Sequence, residues 1–510
     1  MAATSAAHST DPKSEFKAGF KAYREGDFDI ALAKWTPLAE DGAAEAQVNL
    51  GIMYAKGEGV QRDHEQAFRW YRTAADGGHP KATFNVGVMY ENGQSVAQSH
   101  GEAANWYRRA ADLGYAPACY ALGLLYQHGR GVEHSGGEAA RWFLTAAEKG
   151  NVDGEYALGV LFEDGDGVRT DYVRAAQLYN DAAARDHVPS CFRLARLYES
   201  GRGVKQDYAA AMRWYTQAAD HPHSPSCHHI GLMHQNGLGV PRDDAKALTW
   251  FRKAADQEYA EAQCMVGQLY EHGRGVKKDE QKAMRWYVMA AGQDDPDGCH
   301  ALGQMHELGR SVVVDYVAAA AAYQKGAAQG HGPCCYRLGH LYQAGRGVDQ
   351  DDARAVELFT QGADAGDPAA QNQLGMMYLR GEDGVAKNLK RGCEYLRLAA
   401  EQNYPRACTN LGRAYLKGNG VGQDVGTATY WFRKGAEQGY AGGQYYLALM
   451  YIQGQAVKRD LVEAHMWLDL AVKQDSREAL KTRGLISKQL TPAAINEAEE
   501  RAASWKATTP

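Results

Sequence analysis

Apolar positions along this chain recur with the period of an amphipathic helix, and the helical stretches come in alternating pairs. One stretch reads Ala-x-x-x-Leu-Gly-x-Leu/Met-Tyr, as in Ala262 to Tyr270. With about 100° of turn per residue, its Leu, Leu/Met and Tyr fall on one arc, and the glycine sits at the edge of that arc. The arc predicts a buried face. The glycine predicts a neighbouring helix so close that a Cβ would push it away. Gly-x-Gly-Val follows, as in Gly273 to Val276, and its paired glycines predict a helix end and a sharp reversal with left-handed backbone. Three residues past the Val stands Asp63, Asp171, Asp207, Asp243, Asp279, Asp315, Asp351, Asp424 or Asp460, with Ser or Asn in the other copies. These predict N-caps. The second stretch then reads Ala-x-x-Trp-Tyr-x-x-Ala-Ala, as in Ala283 to Ala291. Its Trp position holds Trp70, Trp106, Trp142, Trp214, Trp250, Trp286, Trp431 and Trp467, eight of the ten tryptophans.

The unit repeats. The first-stretch glycine recurs as Gly51, Gly87, Gly123, Gly159, Ala195, Gly231, Gly267, Gly303, Gly339 and Gly375, always 36 residues apart. It continues as Gly412, after one inserted residue beside Asp383, and as Ala448. A chain of 510 residues would ordinarily suggest about three or four domains, but strict self-similarity replaces that estimate with one quasi-one-dimensional array. The expected fold is all-α, a right-handed α-α superhelix of twelve two-helix repeats. The expected boundaries are a disordered tail over 1–13, a capping helical pair over 14–43, repeats over 44–473 and capping helices over 474–510. Phe16 to Leu38 reads as a shorter pair without the glycine loop, and Thr491-Pro492 starts a last helix as N-cap and first residue.

Composition narrows the function. Lys+Arg 56 against Asp+Glu 62 leaves a formal net charge of −6, and no block of like charge points to nucleic acid or an anionic membrane. No apolar run approaches the roughly 18 residues of a spanning helix, and Met1–Phe16 has neither a basic start nor an apolar core. A cytoplasmic protein is expected, or a periplasmic or secreted one if a signal has been removed. A monomer is favoured, without direct membrane insertion.

The repeat unit resembles the Sel-one-like repeat (SLR) family, relatives of the tetratricopeptide repeats. The resemblance covers about residues 44–473 and implies an adaptor. Such proteins assemble membrane-protein degradation complexes, activate cell-wall synthases, or serve bacterial envelope regulation, motility and host-cell entry. It implies no enzymatic activity and no cofactor. One secreted branch binds penicillin and staples each helix pair with a disulfide, and this chain departs from it. Cys119, Cys191, Cys227, Cys299, Cys335 and Cys408 share one first-helix position, while the partner position holds Ala, as at Ala147 and Ala219. Equivalent residues of adjacent repeats lie roughly 8–10 Å apart or more, beyond a disulfide's reach of about 7 Å. The cysteines are therefore expected to be small buried apolar residues.

First helices of such arrays line the usual binding face. On the helical wheel, the residues three before and one after the glycine point away from the buried arc. The first set includes Phe84, Tyr120, Tyr156, Phe192, His228, His300, Tyr336 and Tyr445. The second runs from Ile52, Val88, Leu124 and Val160 to Arg196, Gln268, Gln304 and His340. Together they suggest a ladder of aromatic anchors for a protein or peptide partner. The alternative is that the rings pack sideways and only wall the groove. Loop arginines Arg130, Arg202, Arg274, Arg310 and Arg346 suit carboxylate recognition or local pairing with Asp207, Asp279 and Asp351. Glu91, Glu163, Glu199, Glu271 and Glu307, four after the glycine, suit a basic partner or those same arginines. His221, His223, Cys227, His228, His229 and His234 have the residue types of a zinc or copper site, but their spacing matches no standard one. No phosphate loop, metalloprotease motif or nucleophile elbow is present.

Overall fold

The punctuation of each repeat explains its two helices. In repeat 7 the first helix, Ala260–His272, ends on Gly273 at φ 66°, whose N–H bonds the Leu269 carbonyl. A Cβ on Gly275, at φ +67°, would stand 2.3 Å from the backbone carbon of Asp244, the first residue of the preceding second helix. That glycine is needed both for its dihedral and for its closeness. Ser95, Ser311 and Ala456 hold the same loop place elsewhere and keep positive φ. Asp279 then accepts from Lys282 N at 2.9 Å and caps the second helix, Glu280–Gly292. A cap of this kind is worth about 1 kcal/mol.

The computed structural model describes residues 11–382 and 384–508. Among the described residues there are 28 α-helices and no strand. They form two compact units, one ending at Asp243 and one beginning at Asp244. The first helix is Pro12–Glu25, so helix begins inside the stretch expected to be a tail, and residues 1–10 lie outside the described residues. It pairs with Phe28–Glu40 around Trp35, which is 1% exposed. At the other end, Thr491 caps Pro492–Ser504, and Trp505 meets the Trp467 ring edge-on at 5.8 Å. No described helix is long and apolar enough to cross a membrane.

The first-helix glycine has a specific occupant. A Cβ on Gly267 would lie 2.5 Å from Cε1 of Tyr287, the ring after the Trp position in the second helix of the same repeat. Gly51, Gly87, Gly159 and Gly303 meet Tyr71, Tyr107, Tyr179 and Tyr323 in the same way, while Gly123, Gly339 and Gly412 meet Phe143, Phe359 and Phe432. Each ring therefore lies flat on a bare stretch of helix. The tryptophans instead join one repeat to the last. Trp106 packs with Ala67, Tyr71 and Ala75 of repeat 1 and with Val86 of its own repeat, and Trp142 packs with Ala103, Tyr107 and Ala110 of repeat 2. Large rings at the junctions supply much of the apolar burial that holds a one-dimensional array together.

Candidate functional site

In the unit from Asp244, first helices of successive repeats touch from repeat 7 through repeat 12, whereas their second helices make at most marginal contact. Elements on the inside of a bend crowd together, so the first helices form the inner row of that unit. In the unit ending at Asp243, the first helices of repeats 3 and 4 touch likewise.

Rings three before the glycine lie on the first helices of both units, but they do not stand free. Phe84, Tyr120, Tyr156, Phe192, His300 and Tyr336 pack on Tyr107, Phe143, Tyr179, Tyr215, Tyr323 and Phe359 of their own repeats, with centroids 5.2–6.1 Å apart. Four of them also meet the N-cap residue of the next repeat's first helix: Tyr115, His187, His223 and His331, respectively against Phe84, Tyr156, Phe192 and His300. Tyr445, whose repeat has Leu468 in place of the ring, packs on Tyr446 at 5.4 Å, and His228 meets His229. All eight are half-buried. The helical wheel placed them outside the core because it considered one helix alone. The ring of the second helix reaches across the glycine and makes their inner faces part of the core.

The residues one after the glycine sit a turn further along the same face. Arg196 is exposed, while Gln268, Gln304 and His340 are half-buried. Gln304 meets His300 at 3.3 Å, and His340 lies edge-on to Tyr336 at 4.6 Å. Burial holds the His300 imidazole down at about 4, helped by the charges of His331 and Arg337 and opposed by Asp297. It lowers His340 as well. Both rings are neutral near pH 7.

The glutamates four after the glycine are already engaged. Tyr107, Tyr179, Tyr215, Tyr287 and Tyr323 donate to Glu91, Glu163, Glu199, Glu271 and Glu307 at 2.5–2.8 Å. Repeats with Phe in place of the Tyr have Gln127, Gln235, Gln343 or Leu416 at that position, and so leave no carboxylate without its phenol. Repeat 1, with Tyr71 and Ala55, is the exception. Burial and the carboxylate together push the phenol pKa values up, for instance at Tyr287. Further partners come from the next repeat: Arg193 on Glu163, His229 on Glu199, and Arg310 on Glu271 at 2.5 Å. Of the loop arginines, Arg310 thus finds a carboxylate, while Arg202 and Arg346 lie over the Tyr172 and Tyr316 rings. Asp207, Asp279 and Asp351 serve as caps.

All nine cysteines are buried thiols. The shared cysteine position, four before the glycine, is a hydrogen-bonding place that the sequence pattern did not reveal. There Gln47 and Gln371 donate to Ala39 O and Ala363 O at the end of the preceding second helix, and Cys408 points its thiol at Ala400 O, 3.7 Å away. Burial pushes the Cys191 and Cys408 thiols up to about 11. Among the described residues, no group of three or more His, Cys, Asp or Glu side chains could hold a metal ion. The histidines of the 221–234 stretch do other work: His223 accepts from Ser226 N at 3.2 Å as an N-cap, and His229 stacks on Tyr215 at 4.9 Å.

One constellation has the composition of a catalytic triad. His187 Nδ1 lies 2.8 Å from Ser190 Oγ, and its Nε2 lies 3.5 Å from Asp153. The arrangement recurs 144 residues later, with His331 Nδ1 3.1 Å from Cys334 Sγ and Nε2 3.3 Å from Asp297. Ser190 and Cys334 are 0% exposed, and burial holds the Cys334 thiol strongly in its protonated form. A nucleophile needs access and activation, and neither atom has them. Each histidine instead clamps the start of one repeat to the first helix of the one before.

Comparison with known proteins places this architecture. The Sel1 repeat matches residues 44–79, 80–115, 116–151, 152–187, 188–223, 224–259, 260–295, 296–331, 332–367, 368–404, 405–440 and 441–476. The chain belongs to the Sel1 repeat family. It is similar, at 32% identity and TM-score 0.64, to a protective antigen present in uropathogenic Escherichia coli strains that displays an SLR fold; the match covers 93% of this chain and 94% of that one. A Sel1 repeat protein from Oxalobacter formigenes is 31% identical, with 48% of this chain and 99% of that chain covered and a TM-score of 0.44. An exopolysaccharide production negative regulator of Rhizobium leguminosarum bv. viciae is 40% identical over 60 residues, which span 12% of this chain and 22% of the regulator. Sel1 repeats form solenoids of a type that binds protein partners, and the helix pairs of this protein are built in that way.

Proposed function

We propose that this Sel1 repeat protein is a non-enzymatic scaffold that holds a protein or peptide partner along its row of first helices. The observation that carries the reading is the set of half-buried rings, each fixed from behind by a second ring and with part of its surface open. Side chains locked before binding lose little entropy on association, so such edges can act as anchors. Ile52, Val88, Leu124 and Val160 give the early repeats an apolar neighbour to the rings, and Arg196, Gln268, Gln304 and His340 give later ones a polar neighbour.

The test combines Tyr120→Ala, Tyr156→Ala and Tyr336→Ala in one chain. The reading expects partner recovery from lysate to fall at least tenfold while the helical circular dichroism spectrum is kept. Full recovery by a folded variant contradicts it.

A second reading, a regulatory adaptor for exopolysaccharide production, is favoured by the short match to the Rhizobium regulator. It expects a changed polysaccharide yield when the gene is deleted in its host, and an unchanged yield excludes it.

A further inference from the structure

Trp106 lies in a slot between the second helices of repeats 1 and 2. Arg72 stands 4.7 Å from its ring and Arg109 4.3 Å, with Tyr71, Ala75 and Val86 beneath. The same slot exists between repeats 8 and 9, but Leu358 holds the Trp position there. Leu358 packs with Tyr323, Ala327 and Leu338, the counterparts of Tyr71, Ala75 and Val86. Above it opens a cleft of about 560 Å³ lined by Gln324, Ala327, Ala328, Leu338, Leu358 and Gln361, among others. That size is within the roughly 300–1,000 Å³ of small-ligand sites. Gln324 and Gln361 occupy the places of Arg72 and Arg109, one on either side of the missing ring.

We propose that this cleft is a binding site for an indole ring, presented by a tryptophan of a partner peptide. Three observations support it. Eight repeats fill the equivalent position with a tryptophan, and at Trp106 and Trp142 the ring is more than nine-tenths buried, so walls of this kind accept that shape. Leu358 is 1% exposed and forms a closed apolar floor. Gln324 and Gln361 are exposed, and their amides both donate and accept, which suits the backbone groups beside a peptide-borne ring better than a bare hydrocarbon. The site lies on the second helices, away from the row of first-helix rings, and so stands or falls separately from the scaffold reading above.

The test titrates the full chain with N-acetyltryptophanamide by calorimetry, and with 5-fluoroindole by fluorine NMR. The proposal expects saturable binding of N-acetyltryptophanamide. It expects Leu358→Trp, which fills the slot from within, to weaken that binding at least tenfold. Ala328→Phe closes the cleft from an exposed wall position without touching the floor, and it decides the case if the first variant does not fold. Arg213→Ala, at an exposed position outside the cleft, should leave binding unchanged. Absence of saturable binding, binding of 5-fluoroindole alone, or binding that survives Ala328→Phe overturns the proposal.

Discussion

Replacing one glycine by alanine should have opposite effects at two places in this chain. At Gly267 a Cβ would meet Tyr287 Cε1 at 2.5 Å and Cδ1 at 2.7 Å, and Tyr287 is 0% exposed, so the ring has no solvent to move into. Overpacking of this kind costs about 1–3 kcal/mol. Against it stands the gain of Ala over Gly inside a helix, about 0.5–1 kcal/mol. The net expectation runs from about zero to a loss of about 2.5 kcal/mol, with the low end set by the chain itself. Repeat 5 carries Ala195 opposite Tyr215, so a junction can be built around the methyl group. Gly484, inside Arg477–Ser487, has nothing within 4 Å of its missing Cβ, and Gly484→Ala should keep the whole helix gain. A repeat array need not unfold in one step, so local hydrogen exchange by mass spectrometry is the suitable assay. Amides of Ala260–His272 and Glu280–Gly292 should exchange faster in Gly267→Ala, by up to about 60-fold at tenfold per 1.4 kcal/mol, while Gly484→Ala slows exchange around its own helix. If Gly267→Ala protects its repeat as Gly484→Ala does, the close approach of Tyr287 is not what the glycine is for.

Other expectations follow from the same geometry. Tyr287→Phe should destabilise repeat 7 by about 1.5–3 kcal/mol, the range for a hydrogen bond to a charged group; added to Glu271→Gln it should cost less than the sum, and strict additivity in a double-mutant cycle would deny the pair. None of the nine cysteines should react with a disulfide reagent at pH 8 in the native protein, because all are buried and Cys191 and Cys408 are held up at about 11; fast labelling of any one before unfolding contradicts this. The His300 pKa is lowered to about 4 by burial, so protons prefer the unfolded chain. Stability should therefore fall as pH drops from about 6.5 to about 4, by up to about 3 kcal/mol from this ring, and His300→Gln should flatten that part of the exchange profile over Pro296–Leu308.

Much of the fold is legible from local rules. Gly273, Gly275 and Asp279 each sit where a dihedral or an orphan N–H demands their type, so the helix ends could be placed from spacing alone. The glycine at 267 was also legible as a close approach, though not what approached. What escaped the sequence depends on contacts between helices. The ring at Tyr156 looked free on a single-helix wheel because its partner, Tyr179, lies 23 positions away on another helix. Glu271 looked available for a partner because its phenol donor, Tyr287, and its cation, Arg310, come from elsewhere. A signal was present all the same: Glu stands four after the glycine only in repeats whose second helix offers Tyr rather than Phe. Ser190, His187 and Asp153 were missed for a similar reason, since their convergence needs the turn between two repeats, and their burial could not be read from spacing.

The central claim is that partners are held on the first helices, and site-specific photo-cross-linking tests it most directly. A photoreactive phenylalanine would be placed singly at Arg196, Gln268 and Gln304 on that row, and at the exposed second-helix position Arg213 as the opposing face. Captured partner should appear from the first three sites and be at least tenfold weaker from Arg213. Equal capture from all four, or capture from Arg213 alone, would contradict the account.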